Sequence, residues 1–392
     1  MGRMLNYRDL HEQYQADPDH CLKQIGTLIE GRRINVNEFS IRELANATLG
    51  KSLVEAMEPG RKSGGIRLRE AASAVDTSAF SNITGQIVYS TVKERFKTGT
   101  IYSDMLTTPK QTSFLKGEKI PGIGGIGDES ELVLEGQPYP TAGVNEEYVQ
   151  TPQLEKRGKI IPVTREIIVA DRTGILLEVC GETAKYLAVN KQKRVMDAVF
   201  GVTNTYNRNG TSTNTYLASG AYINTVASNA LVDWTDVENA LLAFDALTDP
   251  NTGEPIGEDI LSGDLQVVVP TALGMTARRI LSATEIRFGD GASSTTAAYS
   301  ANPAEKTVYG RSLTYQLISS PYVKSRTGSA STWFIGDFKR AFNYMYAWDI
   351  ETAQAPTGSM EEFTRDIQMQ FKVSEMGVTA VAEPRRVVKC TA

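Results

Sequence analysis

The sequence predicts an α+β fold in which a long helix supports layers of strands, and three observations support this prediction. A helical repeat runs through residues 172–200, runs rich in β-branched residues occupy 147–169 and 265–269, and a Gly/Pro-rich stretch at 107–143 precedes them. With 392 residues, of which 41% are apolar, the chain can bury a large core. A chain of this length is expected to divide into domains of about 150 residues each.

Residues 1–75 are predicted to form an N-terminal arm with one or two helices, loosely joined to the rest of the chain. Phe39, Leu44 and Val54 recur at near-helical spacing, and Ser40 precedes Glu43 as in a capping box. Residues 76–105 would then begin the next domain.

Residues 107–143 are predicted to form an extended segment that projects from the fold. The stretch contains few large apolar side chains and many Gly and Pro residues, so it cannot build a core of its own. The β-branched run at 147–169 then predicts one long strand. Pro162 removes a ladder donor from that strand, which indicates an edge position or a bulge.

The helix predicted at 172–200 is the strongest in the chain, with Asp171 as a candidate N-cap. Its apolar stripe is predicted to consist of Leu176, Val179, Thr183, Leu187, Lys191, Val195 and Val199, widened by Cys180, Ala184 and Ala188. At 1.5 Å per residue the helix would be about 40 Å long, which is the width of a domain.

The rest of the chain predicts a loop, a second compact α/β unit and a closing pair of strands. Residues 204–229 are rich in Asn, Thr, Ser and Gly and indicate a loop. Asp233 and Asp236 are placed to cap a helix with Val237 and Phe244 on its inner face. Residues 265–269 predict a buried strand, 271–283 a helix and 312–318 another strand. Residues 362–389 predict strand, turn and strand.

The composition favours a protein that makes contacts over an enzyme. Forty-one Lys and Arg face 46 Asp and Glu, giving a net charge of −5, so contact with nucleic acid must be local or weak. The only histidines, His11 and His20, lie near the N-terminus, which disfavours His-based catalysis. We therefore expect no catalytic residues, no cofactor and no metal.

Cysteine use and hydropathy indicate a soluble protein that is made in a reducing cytoplasm. Cys21, Cys180 and Cys390 are too far apart to form a CxxC pair, and their number is odd. No stretch approaches the roughly 20 apolar residues of a membrane span.

Three motifs resemble ligand-binding loops. Residues 45–52 (ANATLGKS) approach a phosphate-binding loop, but a polar, helix-like segment precedes them where a buried strand is required. GIGGIG at 122–127 matches a dinucleotide fingerprint, yet it follows Pro121 and precedes a cluster of acids. DPNTGEPIGEDI lacks the Gly and Glu that a calcium loop needs. A nucleotide-binding enzyme that uses residues 45–52 remains a distant alternative.

The order of these parts resembles the major capsid protein of tailed double-stranded DNA phages, the Hong Kong 97-type fold. The likeness is carried by VTREIIVADRTGILLEVCGETAKYLAVNKQKRVMDAVF, which is similar to the family's strand and spine helix, and by LQVVVPTALGMTARRILSA, which is similar to a strand and helix of its axial domain. The ending FTRDIQMQFKVSEMGVTAVAEPRRVVK resembles the family's closing strands. The resemblance covers most of residues 76–392.

The resemblance implies a role for each segment. Residues 106–146 would be an extended loop lying over a neighbouring subunit, 147–230 with 336–392 a peripheral domain, and 231–335 an axial domain. Copies of the chain would assemble through hexamers and pentamers into an icosahedral shell around phage DNA. An encapsulin-like compartment shares this fold and stays open as an alternative.

The implied partners are further copies of the chain, portal, scaffolding and decoration proteins, and DNA held by weak non-specific contacts, with no membrane. The protein would be located in the virion after assembly in the host cytoplasm. Acids of the loop are expected to meet basic residues of a neighbour and so to set register. The residues expected in this inter-subunit contact are Gly122, Gly124, Asp128, Glu129, Glu131, Lys156, Arg157 and Lys159.

Overall fold

The computed structural model describes residues 7–30, 41–48, 74–121, 133–135, 137, 148–164, 175–220, 222–249, 253, 255, 257–261, 263–282, 315–355 and 367–392. The helices are α1 (Tyr7–Ala16), α2 (Pro18–Glu30), α3 (Ile41–Thr48), α4 (Ala74–Gly99), α5 (Ile101–Leu106), α6 (Ile175–Val199), α7 (Trp234–Asp245), α8 (Gly257–Leu261), α9 (Gly274–Leu281), α10 (Pro321–Thr327) and α11 (Phe338–Ala341).

The strands are β1 (Thr108–Gln111), β2 (Lys119–Pro121), β3 (Tyr148–Gln150), β4 (Glu155–Thr164), β5 (Tyr206–Arg208), β6 (Thr211–Thr213), β7 (Thr225–Val226), β8 (Gln266–Val269), β9 (Gln316–Ser319), β10 (Trp333–Gly336), β11 (Phe342–Gln354), β12 (Ile367–Val381) and β13 (Val387–Cys390). Among the described residues they form three sheets with the orders β1-β11-β12-β4, β2-β3-β5-β6 and β7-β13-β10-β8-β9. The mixture of helices and sheets confirms the predicted α+β class.

The chain separates into two compact units. Unit 1 comprises Met1–Ile101, Glu155–Lys191 and Trp348–Met376, and unit 2 comprises Tyr102–Leu154, Gln192–Ala347 and Gly377–Ala392. This division differs from peripheral and axial domains that meet at residue 230. The reason is pairing: β7 and β13, which the prediction placed in the peripheral domain, form one sheet with β10, β8 and β9 of the predicted axial domain.

The core of unit 1 is built mainly from helices. Ile83, Val88 and Val92 of α4 are buried with Leu177 of α6 and Val373 of β12. Helices α1, α2 and α3 also contribute buried side chains to this core, so the N-terminal segment is not loosely joined as predicted. Its helices pack in the core because their apolar stripes would otherwise face water.

The predicted long helix is confirmed as α6, but its predicted stripe was partly wrong. Leu177, Cys180 and Ala184 are fully buried, whereas the side chain of Val179 is 49% exposed. Leu187, Val195 and Val199 of the predicted stripe are buried as well, so the error concerns Val179, in whose place Leu177 faces the core. The candidate N-cap Asp171 lies outside the described residues.

The five-stranded sheet of unit 2 is buried on both faces. Val268 and Phe334 pack into one apolar core, and their neighbours Val267 and Ile335 pack into another on the opposite face. All four residues of β8 are buried, which confirms the strand predicted at 265–269. A strand covered on both faces reads as a continuous apolar run, and the sequence shows that pattern.

Other predicted elements of unit 2 are confirmed. Helix α7 begins after Asp233 with the capping box predicted from Asp233 and Asp236. Helix α9, strand β9 and the closing β12 and β13 lie where the sequence placed a helix and strands. The small-residue stretch between α9 and β9 lies outside the described residues.

Three predictions about local structure were wrong or incomplete. The strand predicted at 147–169 is interrupted, because β3 ends at Gln150 and β4 begins at Glu155. The loop predicted at 204–229 contains the hairpin of β5 and β6, whose turn residues Asn209 and Gly210 have φ of 50° and 82°. Positive φ at both positions is typical of a tight hairpin turn, and the Asn-Gly pair was the signal for it.

Helix α4, with 26 residues, was not predicted at all. It carries many β-branched and hydroxyl side chains, which lower helix propensity. Thr84, Ser90 and Thr91 are nevertheless buried in it. The Thr91 hydroxyl donates to the Ile87 carbonyl oxygen at 2.8 Å, so the helix backbone itself satisfies this buried hydroxyl.

Candidate assembly surfaces

The predicted projecting loop has a neck formed by β2 and β3. These strands pair antiparallel, with Lys119 opposite Gln150 and Pro121 opposite Tyr148. The Lys119 ammonium lies 4.0 Å from the centre of the Tyr148 ring, a cation–π contact that fixes the neck further. The rest of the predicted loop up to residue 147 lies outside the described residues except at 133–135 and 137.

The predicted start of the loop at residue 106 was too early. Thr108–Gln111 forms β1, which pairs in parallel with β11, so these residues belong to a sheet. The segment after β1 is held by backbone hydrogen bonds, including Leu154 N–H to the Leu115 oxygen at 3.0 Å and Thr151 N–H to the Glu118 oxygen at 2.9 Å. Five of the predicted contact residues lie beyond it and outside the described residues: Gly122, Gly124, Asp128, Glu129 and Glu131.

Large apolar side chains are exposed on and next to this segment. Phe114 is 61% exposed, and Leu115 and Leu134 are exposed as well. Covering exposed apolar side chains removes apolar area from water, so these residues are candidate contact points for another molecule. Composition did not predict a role for Phe114 and Leu115, because the residues around them are mostly those of a polar loop.

Strand β4 carries a second exposed surface. Ile161 and Val163 are buried and Pro162 is exposed, as in a strand with one face on the core. Its first six residues, 155–160, are all exposed, including Ile160 at 61%. Among the described strands β4 lies at the edge of its sheet, which confirms the position predicted from Pro162.

The three basic residues predicted to meet a neighbour lie within this exposed half of β4. Arg157 forms a salt bridge with Glu155, with both side chains about half exposed. The Lys156 ammonium lies 5.7 Å from the centre of the Trp348 ring. Lys159 is exposed and forms no ion pair with another described residue. Local pairing thus leaves Lys159 as the most available cation of the three.

Helix α6 presents an exposed stripe on the side away from the core of unit 1. Val179 is half exposed and Tyr186, two turns further on, is 63% exposed. Glu182 lies between them and pairs with Lys185 at 3.8 Å. Val179 and Tyr186 are thus exposed next to charged side chains, and a mixed surface of this kind suits a weak contact with another molecule.

The described residues include the histidines and cysteines that could serve in catalysis or metal binding. Among the described residues, no group of three or more His, Cys, Asp or Glu side chains is placed to bind a metal ion. His20 donates its backbone N–H to Asp17 in the first turn of α2. Burial raises the pKa of the Cys180 thiol to about 12, and burial is also the main cause that raises the pKa of Cys390 to about 12. Neutral, buried thiols are poor nucleophiles.

The phosphate-loop interpretation of residues 45–52 does not fit the structure. Ala45 and Thr48 lie in helix α3 and are buried, and the Thr48 hydroxyl donates to the Leu44 carbonyl oxygen at 2.8 Å. A phosphate loop needs a strand before it and free backbone N–H groups within it. Residues 49–52 lie outside the described residues.

Within the part of the chain that the structure describes, every helix is too short or too polar to cross a bilayer.

Known structures with a similar fold are distant in sequence. The capsid of the native GTA particle has 14% identity and a TM-score of 0.46 over 75% of this chain and 89% of its own. Gordonia phage Cozz has 16% identity and a TM-score of 0.45 over 74% and 86%. The virus-like particle from Pyrococcus furiosus has 10% identity and a TM-score of 0.41 over 78% and 98%. No curated protein matches the sequence.

The sequence itself matches one family model, described as phage capsid protein, over residues 147–390. The match begins at the neck of the predicted loop and continues through α6 and the sheet of unit 2 to the last strand, β13. It therefore includes the strand, helix and closing segments on which the resemblance rested, and it covers more than half of the chain. This chain belongs to the phage capsid protein family and is a structural capsid protein, as the resemblance predicted.

Proposed function

We propose that copies of this chain assemble through hexamers and pentamers into an icosahedral shell that encloses double-stranded phage DNA. The family match over residues 147–390 is the observation that carries the proposal. The exposed Phe114, Leu115 and Ile160 support it, because a second copy could remove these side chains from water. The proposed role is structural, and the protein would have no enzymatic activity.

Electron microscopy of the purified protein tests this proposal. We expect closed particles of uniform size with icosahedral symmetry, formed by the chain alone or after addition of a scaffolding protein. Particles that contain packaged DNA when isolated from infected cells would support the role in a phage head. A chain that stays monomeric under all assembly conditions, with or without scaffolding protein, would contradict it.

For the contact between neighbours, we propose that the loop acids Asp128, Glu129 and Glu131 meet the basic half of β4. Lys159 is the base we expect to contribute most, because Arg157 is paired with Glu155 and Lys156 lies against Trp348. Charge pairs at the rim of an interface set register and association rate more than affinity. Gly122 and Gly124 would let the loop bend as it leaves the neck.

Charge reversal tests this contact. We expect the double change Glu129→Lys and Glu131→Lys to slow assembly and lower particle yield, and Lys159→Glu to restore part of the yield in the same chain. Lys23→Glu, at an exposed position of α2, is the control and should not restore it. Unchanged assembly in the double variant, or equal rescue by the control, would remove the proposed pairing.

We also propose that the shell holds its DNA weakly and is located in the virion after assembly in the host cytoplasm, with portal, scaffolding and decoration proteins as further partners. A net charge of −5 opposes strong binding to phosphate. Filter binding of unassembled protein to double-stranded DNA should give weak affinity that falls steeply with salt. Tight binding at physiological salt would contradict this part.

The alternative function is an encapsulin-like compartment, which would differ in its contents. Particles purified from the natural source would then hold an enzyme in place of genomic DNA. Mass spectrometry of nuclease-treated particles distinguishes the two, because a cargo enzyme would remain at constant stoichiometry after the nucleic acid is removed.

A further inference from the structure

The N-terminal helices of this chain are built into the core of unit 1. Leu10 and Tyr14 of α1, Cys21 and Ile25 of α2, and Leu44 of α3 are all buried there. Helix α1 packs against both α2 and α3, and each of the three also contacts α4. A segment that only wrapped the outside of a subunit would not place side chains from all three of its helices in the core.

The fit between this segment and α4 is close. A Cβ atom added to Gly26 of α2 would lie 3.1 Å from Gln86 Nε2 and 3.7 Å from the Ser90 hydroxyl oxygen. The Asn82 side-chain amide of α4 donates a hydrogen bond of 2.7 Å to the Tyr14 hydroxyl. Close approach of two helices combined with a directional bond indicates a specific docking site.

The apolar side of α4 belongs to the same core as the N-terminal helices. Ile83, Ile87, Val88, Val92 and Phe96 are at most 3% exposed. These side chains recur at helical spacing, so they line one side of the helix. Leu10, Tyr14, Cys21, Ile25 and Leu44 of the N-terminal helices belong to the same core, so removal of these helices would open that core to water, which favours misfolding or aggregation.

We propose that this surface of α4 is a docking site for helices α1–α3 of the same chain, which stay bound as a permanent part of the subunit. Residues 49–73 join the two partners in sequence, but the packing and not the peptide linkage would hold them together. Proteolysis between Thr48 and Ala74 would then nick the subunit without removing its N-terminal segment. This inference does not depend on shell assembly, because all its contacts lie within unit 1.

Controlled cleavage of the unassembled chain tests the proposal. A recognition sequence for a site-specific protease is inserted between Gly64 and Gly65, and the purified protein is cut. We expect the two fragments to elute together as a 1:1 complex of monomer mass, with unchanged far-ultraviolet circular dichroism. If the N-terminal fragment elutes alone while the rest stays folded, or if the complex has the mass of a dimer, the proposal is overturned.

A pair of matched variants shows whether the buried contacts hold the fragment. Ile25→Asp in the cleavable chain should raise the fraction of released fragment at least tenfold at low micromolar protein concentration. Lys23→Asp, at an exposed position of the same helix, should leave retention unchanged. Equal release from both variants would show that the docking of α2 on α4 does not hold the segment, and would overturn the proposal even if the uncut Ile25→Asp chain folds poorly.

Discussion

Unit 1 and unit 2 build their buried cores by different means. The core of unit 1 is formed mainly by apolar faces of helices, which pack without a fixed hydrogen-bond register between them. Unit 2 contains a five-stranded sheet drawn from segments as distant as Thr225–Val226 and Val387–Cys390. Strands from distant segments need register, and unit 2 supplies it with buried polar side chains that bond to the backbone.

Two asparagines illustrate this use of polar groups in unit 2. The Asn224 amide donates to the carbonyl oxygens of Thr215, Pro384 and Val387 at 3.0, 2.9 and 3.2 Å, and its oxygen accepts from the Leu217 N–H at 2.8 Å. These backbone segments could not be aligned this way by apolar contact, which has no direction. Fully satisfied networks of this kind specify a unique arrangement.

Asn229 supplies the second anchor of this kind. Its side-chain amide donates to the Asp236 carbonyl oxygen at 2.9 Å, and its backbone carbonyl oxygen accepts from the Trp333 indole at 2.8 Å. The Asn229 backbone N–H also donates to the Thr391 oxygen at 2.7 Å, which holds the end of β13 in the sheet. We therefore expect the stability of unit 2 to be more sensitive to loss of single polar groups, and the stability of unit 1 to loss of apolar volume.

The largest effect is expected at the ion pair of Glu383 and Arg385, which is almost completely buried in unit 2. Arg385 Nε lies 2.7 Å from Glu383 Oε1, and both side chains are 4% exposed. Burial alone would lower the pKa of Arg385, but the hydrogen bond and charge of Glu383 raise it above its ordinary value. Arg385→Met should lower the free energy of unfolding by about 3–5 kcal/mol, because it leaves a buried carboxylate without its partner.

Urea unfolding of unassembled subunits measures this change. The matched control is Arg340→Met, which removes a salt bridge of 3.4 Å to Asp337 at a site where the arginine is 57% exposed. The control should cost less than about 1 kcal/mol. A similar loss in both variants would mean that burial does not distinguish these pairs and would weaken the comparison.

The next effect concerns unit 1 and the corrected face of α6. Leu177→Ala should lower the free energy of unfolding by about 2–5 kcal/mol, because the side chain is fully buried among apolar neighbours. Val179→Ala, two residues away and half exposed, should change it by less than about 0.5 kcal/mol. Thermal unfolding of both variants measures the difference. A larger loss of stability in Val179→Ala than in Leu177→Ala would support the buried face predicted from the sequence.

A smaller loss is expected when the polar anchor of unit 2 is removed. Asn224→Ala leaves three carbonyl oxygens and one N–H without their buried partner and should cost about 2–3 kcal/mol. Asn239→Ala, at an exposed position of α7, is the control. Hydrogen exchange should show faster exchange at the β13 amides in the first variant only. Protection that is equal in both would show that Asn224 does not set the register.

The spacing of apolar residues predicted α6, α7 and β8, because in each element that spacing matches the side or sides that are buried in a core. It failed where hydroxyl side chains bond within a helix, as with Thr91 of α4, and where an Asn-Gly turn stood in an apparently polar loop. The basic residues of β4 were predicted from sequence as contact residues, which stays a prediction, and their local partners Glu155 and Trp348 were not predicted. Such pairings depend on the fold, since Trp348 is distant from Lys156 in the chain.

The smallest effect uses buried thiols to compare the two units directly. Cys180 lies in unit 1 and Cys390 in unit 2, and in each the pKa is raised from 9.0 to about 12, with burial as the main cause. A raised thiol pKa contributes stability that is complete below pH 9 and is lost as pH rises toward 12, because only the unfolded chain ionises in that range. Between pH 8 and pH 10 the free energy of unfolding should fall by about 1 kcal/mol per buried thiol.

In each of the variants Cys180→Ala and Cys390→Ala, the fall in the free energy of unfolding between pH 8 and pH 10 should be smaller by about 1 kcal/mol. At pH 8, a disulfide reagent should label neither cysteine until urea opens its unit. The order in which Cys180 and Cys390 react as urea rises then identifies which unit opens first. Rapid labelling of either thiol without urea would contradict its burial, and an unchanged pH slope in either variant would show that its ionisation is not coupled to folding.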